Sequence, residues 1–358
     1  HLSIRRQRQM CIRDRVSLMF LDTSINMAMQ PFKMMVGDMV NEKQKGLAYS
    51  IQSFLCNAGS LVGFLFPFIF TWIGISNIAP QGVVPDSVIY SFYIGAAILI
   101  LCVIYTTVKV KEMPPAEYAE YHGITEEEEK EKINMVKLLV KAPKAFWTVG
   151  LVQFFCWFAF MFMWTYTNGS VAANVFDAPT VETAVNGVSK VMLDTKSIQY
   201  QDAADWVGVL FAVQAIGSVL WAVCIPLFKD RKLIYSLSLV LGGLGFISTY
   251  FVHNQYVLFI SFLLIGCAWA AMLALPFTIL TNALSGGHMG TYLGLFNGTI
   301  CIPQIVAASL GGSILALFTP KGMLPPEINM LVMAGIMLII GAVCVYLIKE
   351  TKGEQTKA

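Results

Sequence analysis

Charged residues are scarce in this chain: 13% of its 358 residues are Asp, Glu, Lys or Arg, whereas 56% are hydrophobic. A soluble domain carries about twice that share of charge, roughly 25%. So few polar groups could not cover a water-facing surface, which excludes a soluble enzyme, a nucleic-acid-binding protein and a disordered scaffold. The sequence therefore predicts an integral membrane protein whose surface contacts lipid.

Motifs for metal, disulfide or catalytic chemistry are also missing. The eight cysteines show no CxxC spacing, and the four histidines lie in the first 15 residues or in predicted loops. Such a pattern indicates neither a metal site nor a redox pair. The sequence contains no nucleophile elbow, P-loop or pair of carboxylates at membrane depth, and a membrane-embedded transferase would need a catalytic group of that kind. We therefore expect no enzymatic activity and no cofactor apart from a coupling ion, most simply a proton.

Long apolar segments account for most of the chain. A helix needs about 20 mainly apolar residues to cross a hydrocarbon core of ~30 Å. Nine segments meet this length: residues 16–39, 47–74, 87–108, 145–168, 204–228, 233–252, 255–283, 289–318 and 328–348. The predicted fold class is therefore an all-α, polytopic membrane protein.

The basic residues predict the orientation of these spans. Lysine and arginine are concentrated in every second connection, at residues 43–45, 109–144, 229–232 and 349–357. The remaining connections contain only Lys190, Lys196 and Lys321. Because basic loops stay on the cytoplasmic side, we expect the 109–144 connection and the C-terminus to face the cytoplasm.

The first 15 residues conflict with this orientation. They contain five of the six arginines, yet nine spans that end inside must begin outside. We interpret residues 1–15 as a non-native or artefactual segment, the alternative being a basic targeting arm. On this interpretation three further spans precede Val16 in a longer protein.

The spacing of the spans divides the chain into two helical parts. Three spans lie in residues 16–108, a charged cytoplasmic linker occupies 109–144, six spans lie in 145–348, and 349–358 form a cytoplasmic tail. Six helices, a charged linker and six more helices are typical of the major facilitator fold. We expect about nine of its twelve helices to be present here; a complete nine-span protein is the alternative.

The first span carries a polar stripe. Asp22, Asn26 and Gln30 recur at every fourth residue, and Lys33 follows Asp22 by eleven residues, or about three helical turns. An ionisable group at membrane depth costs about 2.5–3.5 kcal/mol, so it normally faces a cavity. Asp22 is our candidate for proton coupling, the alternative being a static contact with a neighbouring helix. The other three are candidates for substrate binding, although Lys33 could instead extend to the cytoplasmic surface.

Two residues of this span have candidate structural roles. Pro31 removes a backbone hydrogen bond and should bend the helix beside the stripe. Asp38 lies nearer the membrane surface and is a candidate gating residue.

Amides and indoles recur on single faces of three later spans. The candidate substrate-binding residues there are Gln153, Trp157, Trp164, Gln214, Asn297 and Gln304. Amides can bond sugar hydroxyls while an aromatic ring packs on the apolar face of the sugar, so a neutral sugar is the expected ligand. The alternative is that these amides only join helices. The eighth span contains Pro303, which predicts a bend. It also has a GxxxGxxxG spacing, which predicts close helix packing, at Gly290, Gly294 and Gly298.

Two segments resemble a known family. Residues 20–40, FLDTSINMAMQPFKMMVGDMV, resemble the fourth helix of plant sucrose transporters and their bacterial relatives in the glycoside–pentoside–hexuronide:cation symporter group. Asp22, Asn26, Gln30, Pro31 and Asp38 match it in order, and Lys33 stands where the family more often has arginine. Residues 290–312 are similar to the eleventh helix of that group, and 147–168 to its seventh.

This resemblance implies a proton-coupled symporter of a disaccharide or glycoside in the cytoplasmic or plasma membrane, with Asp22 at the coupling position. The expected partners are a small sugar and membrane lipid, without nucleic acid, and the expected state is monomeric. Two alternatives stay open: a sodium-coupled sugar symporter of the same fold, and a membrane sugar sensor that does not transport. The residues do not identify the sugar.

Overall fold

A computed structural model describes residues 2–40, 42–75, 86–111, 114, 117, 135–185, 188–284, 289–320 and 322–348. These residues are almost entirely helical. The helices are α1 (Leu2–Met39), α2 (Glu42–Trp72), α3 (Asp86–Lys109), α4 (Met135–Val140), α5 (Lys144–Asn174), α6 (Ile198–Cys224), α7 (Arg231–Ser248), α8 (Leu258–Ala283), α9 (Met289–Phe296), α10 (Gly298–Phe318) and α11 (Ile328–Cys344). Short 3₁₀ turns, Ile225–Leu227 and Val345–Leu347, follow α6 and α11.

Each of the nine predicted spans coincides with helix. Within the described residues, seven helices are long and apolar enough to cross a membrane, with α9 and α10 counted together as Gly290–Phe318. The first predicted span lies within α1, and the second coincides with α2 except for its last two residues. The all-α, polytopic fold class is confirmed. Several helices extend beyond the predicted limits, as α5 does at its end, because a helix continues into the polar interface after the apolar run has ended.

Side-chain caps fix the starts of two helices. Ser197 accepts a hydrogen bond from the Tyr200 backbone N–H at 3.3 Å before α6. Asp230 accepts from the N–H groups of Lys232 and Leu233 before α7. Such caps satisfy N–H groups that have no partner within the helix. They therefore set where the chain turns back into the membrane.

A two-stranded antiparallel sheet interrupts the helical pattern between α5 and α6. Its strands, β1 (Thr180–Val185) and β2 (Val188–Leu193), pair in register from Thr180 with Leu193 to Val185 with Val188. The sequence analysis missed this hairpin, although Asn-Gly between β-branched residues is a strong hairpin signal. We call this end of the molecule the hairpin end, and the end with residues 229–232 the basic end.

Glycine allows four helices of the second part to meet at backbone distance. A Cβ on Gly217 of α6 would lie 2.6 Å from the Leu263 carbonyl oxygen of α8, and one on Gly245 of α7 would lie 2.6 Å from that of Ser261. A Cβ on Gly335 of α11 would likewise lie 2.6 Å from the Gly243 carbonyl oxygen of α7. Small residues are what permit this approach in lipid, where van der Waals packing drives helix association.

The first part of the chain contacts the second mainly through α2. The ring of Tyr49 stacks on Phe277 of α8 with centroids 6.1 Å apart, and Phe64 meets Phe211 of α6 at 6.0 Å. The Ser53 hydroxyl donates to the Ala270 carbonyl of α8 at 3.3 Å. These contacts run along α2 from near the basic end to past its middle. Helix α3, in contrast, is largely exposed.

The glycine contacts predict opposite effects at two positions of α6. Gly217→Ala should destabilise the protein by about 1–3 kcal/mol, because its methyl group would meet the α8 backbone. Gly208→Ala should be neutral or stabilising by up to about 1 kcal/mol, since no described atom lies within 4 Å of that position and alanine favours helix. Thermal unfolding of the purified variants in detergent measures both; equal melting temperatures for the two would contradict the close contact.

Candidate functional site

Asp22, one residue of the polar stripe of α1, lies near α10 of the second part. The Asp22 carboxylate is exposed and lies within electrostatic range of the Cys301 thiol in α10. Asn26 is half-buried, and its amide donates to the Asp22 main-chain carbonyl at 2.9 Å. Pro31 is exposed within α1, whereas the side chains of Gln30, Lys33 and Asp38 lie outside the described residues. The Asp22 carboxylate of the first part therefore lies within electrostatic range of α10, across the boundary between the two parts.

Asn297 and Gln304 lie on the α10 side of this boundary. Asn297 stands at the junction of α9 and α10, and its Nδ2 is 3.9 Å from the Cys301 sulfur. Its Oδ1 is buried without a hydrogen-bond partner among the described residues. Gln304 is half-buried, and Pro303 beside it is buried. Cys301 thus lies one helical turn after Asn297 and within electrostatic range of Asp22.

Three indoles of α5 and α8 form a tryptophan cluster: Trp157, Trp164 and Trp269. Trp269 lies 5.8 Å between ring centroids from each of the other two. Trp157 is almost fully buried, and its Nε1 has no hydrogen-bond partner within the described part of the chain. Trp164 is 44% exposed, so one side of the cluster is accessible. An accessible group of rings is suited to packing against the apolar face of a ligand.

Trp269 was missed in the sequence analysis. It lies near the middle of α8, where a tryptophan does not serve as an interfacial anchor, and that position was the available signal.

One predicted amide joins two helices. Gln153 is 1% exposed and donates to the Met272 carbonyl of α8 at 2.9 Å. Gln214 of α6 is buried, one turn before Ser218, whose hydroxyl has no partner among the described residues. The helix-joining alternative therefore holds for Gln153, and substrate binding by these amides stays a prediction.

Asn57 of α2 is a buried amide that the sequence analysis did not identify. Its Nδ2 donates to the Ser53 carbonyl at 2.6 Å, and its Oδ1 has no partner in the described structure. The polar spacing of Ser50, Ser53 and Asn57, at i, i+3 and i+7, was the available signal. It marks the face of α2 that packs against the second part.

Close packing was expected at the GxxxGxxxG spacing, and the structure corrects this for two of its glycines. No described atom lies within 4 Å of a Cβ built on Gly294, and one on Gly298 meets only Ile302 of its own helix. Spacing of small residues permits close approach but does not select a neighbour. The close approaches occur instead at glycines of α6, α7, α8 and α11.

Glu327 is an ionisable residue that the sequence analysis overlooked. It immediately precedes α11 at the hairpin end. Its carboxylate packs against Gly169 of α5, and the methyl group of an alanine at position 169 would overlap that carboxylate. Burial raises the pKa of Glu327 to about 7. Tyr166 of α5 is a titratable group within electrostatic range. Glu327 therefore changes charge near neutral pH.

This pKa predicts a pH-dependent stability. Because the folded protein binds the Glu327 proton more tightly than the unfolded chain, stability should fall as pH rises from about 4.5 to about 7, by at most about 3 kcal/mol. Glu327→Gln should remove this loss, so the variant should match the parent at pH 4 and exceed it at pH 8. Melting temperatures across this range test it, with the exposed Asp177→Asn as a control that keeps the parent profile. An unchanged profile in Glu327→Gln would contradict the assignment.

Comparisons with known proteins agree with this architecture. The sequence profile of the Major Facilitator Superfamily matches residues 24–189 and 176–358. The fold is similar to a crystal structure of the E. coli fucose:proton symporter FucP, with a TM-score of 0.54 and 14% sequence identity over 87% of this chain and 71% of that chain. A search of curated protein sequences finds no match.

Proposed function

Since the chain belongs to the Major Facilitator Superfamily, we propose that it is a secondary active transporter that carries a disaccharide or glycoside together with a proton. Within the superfamily we propose the glycoside–pentoside–hexuronide:cation symporter group, on the motif of α1. The observation that carries the proposal is the position of Asp22 opposite Cys301, with Asn26 and Asn297 on either side of the boundary between the two parts. The similarity to a fucose:proton symporter supports it at the level of the fold.

Asp22 is the proposed proton-binding group. It is exposed at the boundary, so a proton can reach it, and it is held on a helix that must move relative to α10 if the two parts rock. Binding and release of a proton would change the charge between the two parts and so shift the balance between their arrangements. A proton that crosses 100 mV supplies roughly 2.3 kcal/mol, enough for a sugar gradient near fifty-fold.

The proposed sugar contacts combine amides with the tryptophan cluster. The set comprises Asn26, Gln30, Lys33, Trp157, Trp164, Gln214, Asn297 and Gln304, to which we add Trp269. Asn297 Oδ1 and Trp157 Nε1 are buried without partners among the described residues, so both have free capacity for a ligand. Gln153 also stays in the set: its amide N–H bonds the Met272 carbonyl, but its Oε1 is buried without a partner among the described residues.

We further propose that the basic end faces the cytoplasm and that the protein works in the cytoplasmic or plasma membrane. The aromatic contact of α2 with α8 lies toward that end. In this arrangement the two parts are closed toward the cytoplasm, and opening there requires α2 to separate from α8. Alternating access would then be the exchange of this contact for one at the hairpin end.

The coupling role of Asp22 predicts a separation of two transport modes. In proteoliposomes containing the full-length protein, Asp22→Asn should abolish sugar accumulation driven by a pH gradient while sugar exchange continues, because exchange needs no net proton movement. Asp22→Glu should retain partial accumulation, and Asp86→Asn, at the start of α3, should match the parent. Normal accumulation in Asp22→Asn would refute the role, and uptake that follows only a sodium gradient would refute proton coupling.

The sugar site predicts a selective effect in the tryptophan cluster. Trp269→Leu should weaken sugar binding by about 1–2 kcal/mol, or roughly 5- to 30-fold, through loss of ring stacking. Trp147→Leu is the matched control, because Trp147 is 52% exposed near the start of α5 and away from the cluster. Equilibrium binding of labelled disaccharides measures both variants. Equal losses, or no loss in Trp269→Leu, would exclude the cluster from the site.

A further inference from the structure

Pro276 breaks the hydrogen-bond ladder of α8. The helix continues from Leu258 to Ala283 with Pro276 inside it. Proline has no backbone N–H, so the carbonyl four residues earlier, that of Met272, receives no bond from its usual donor. In lipid or in a packed protein interior, water is not available to replace it. This carbonyl therefore needs a partner from outside the helix.

Gln153 supplies that partner. Its Nε2 donates to the Met272 carbonyl at 2.9 Å, from a side chain that is 1% exposed. The bond therefore links α5 to the carbonyl of α8 that Pro276 leaves without its usual donor. Because the site is buried, loss of the Gln153 N–H would leave the carbonyl without a donor, which is the costly case for a buried polar group.

The freed carbonyl lies within the segment of α8 that contacts the first part of the chain. On one side of Met272, the Ala270 carbonyl accepts from Ser53 of α2. On the other side, Phe277 stacks on Tyr49 and the Thr278 methyl group lies 3.7 Å from the Cβ position of Gly46. The segment 270–278 is thus held by α2 on one face and by Gln153 at its centre.

We propose that Gln153 is a positioning residue that fixes the proline break of α8 and thereby holds the segment 270–278 against α2. Glutamine fits this role because its amide offers an N–H at the end of a side chain long enough to cross between helices. The strength of the bond then contributes to the balance between joined and separated arrangements of the two parts. Only this last step rests on the proposed transport function; the geometry is testable without it.

A double-mutant cycle tests the inference. Gln153→Met keeps the side-chain length but removes the donor, so it should lower the melting temperature of the purified protein by several degrees. Pro276→Ala restores a backbone N–H to the Met272 carbonyl and makes the Gln153 bond dispensable. In that background, the shift caused by Gln153→Met should fall to roughly half or less.

A labelling experiment separates positioning from general stability. Thr278→Cys places a thiol in the buried contact with α2, and its alkylation by a maleimide reports separation of α8 from α2. Gln153→Met should increase its labelling rate several-fold, and Pro276→Ala should reverse most of that increase. The native Cys102 of α3 serves as an internal reference whose rate should not change.

A matched control uses a second amide of the same helix. Asn168 of α5 donates to the Tyr200 hydroxyl of α6 at 3.0 Å, far along the helix from Gln153. Asn168→Leu should lower the melting temperature equally with and without Pro276→Ala.

Additive effects of Gln153→Met and Pro276→Ala, in melting temperature and in labelling, would overturn the inference and favour a direct ligand contact for Gln153. If Pro276→Ala does not fold, Pro276→Gly restores the same N–H and completes the cycle. These measurements need no sugar and no proton gradient. Their failure is therefore distinct from a failure of the transport proposal.

Discussion

The structure depends on one constraint: inside a membrane, each backbone N–H and carbonyl must find its partner within the protein. This requirement accounts for the helices, and it gives prolines within them a particular importance. Pro276 frees a carbonyl in α8, and the Gln153 amide, 119 residues away in sequence, satisfies it. The same requirement applies to Pro303 in α10, which frees the carbonyl of Thr299. At Pro276 the break thus determines where a side chain joins one helix to another.

The polar side chains of the interior serve two purposes. Some close hydrogen bonds between neighbouring helices, as Trp221 does with Ser238 and Ser248 does with Ser261, both at 2.8 Å. Others retain a buried atom without a partner in the described structure, among them Asn57, Ser218 and Asn297. These three belong to α2, to α6 and to the start of α10, the helices where the two parts of the chain meet. Unused hydrogen-bonding capacity at a boundary between helical bundles is what a polar ligand requires.

The helices could be predicted because the thickness of the hydrocarbon core sets the length of an apolar segment. The contacts could not, because helices that are apolar on most faces carry little information about their neighbours. Trp157 and Trp269 meet only through the packing of α5 on α8, and the position of Trp269 within its apolar segment does not indicate which helix it contacts. The glycine spacing at 290–298 indicated that close approach was possible there, whereas close backbone approaches are found at Gly217 and Gly266, on separate helices. The stripe of Asp22 and Asn26 was recognisable because its spacing repeats within one helix.

The glycine crossings also determine which parts of the molecule can move separately. Where α6, α7, α8 and α11 meet, main chain touches main chain, and no layer of side chains remains that could slide or repack. We therefore expect these four helices to move together as one rigid unit. The contact with α2 is of another kind: among the described residues it includes stacked rings and a hydrogen bond from a serine hydroxyl, and these can separate without disturbing the backbone crossings. We therefore expect relative motion to occur mainly where α2 meets the second part.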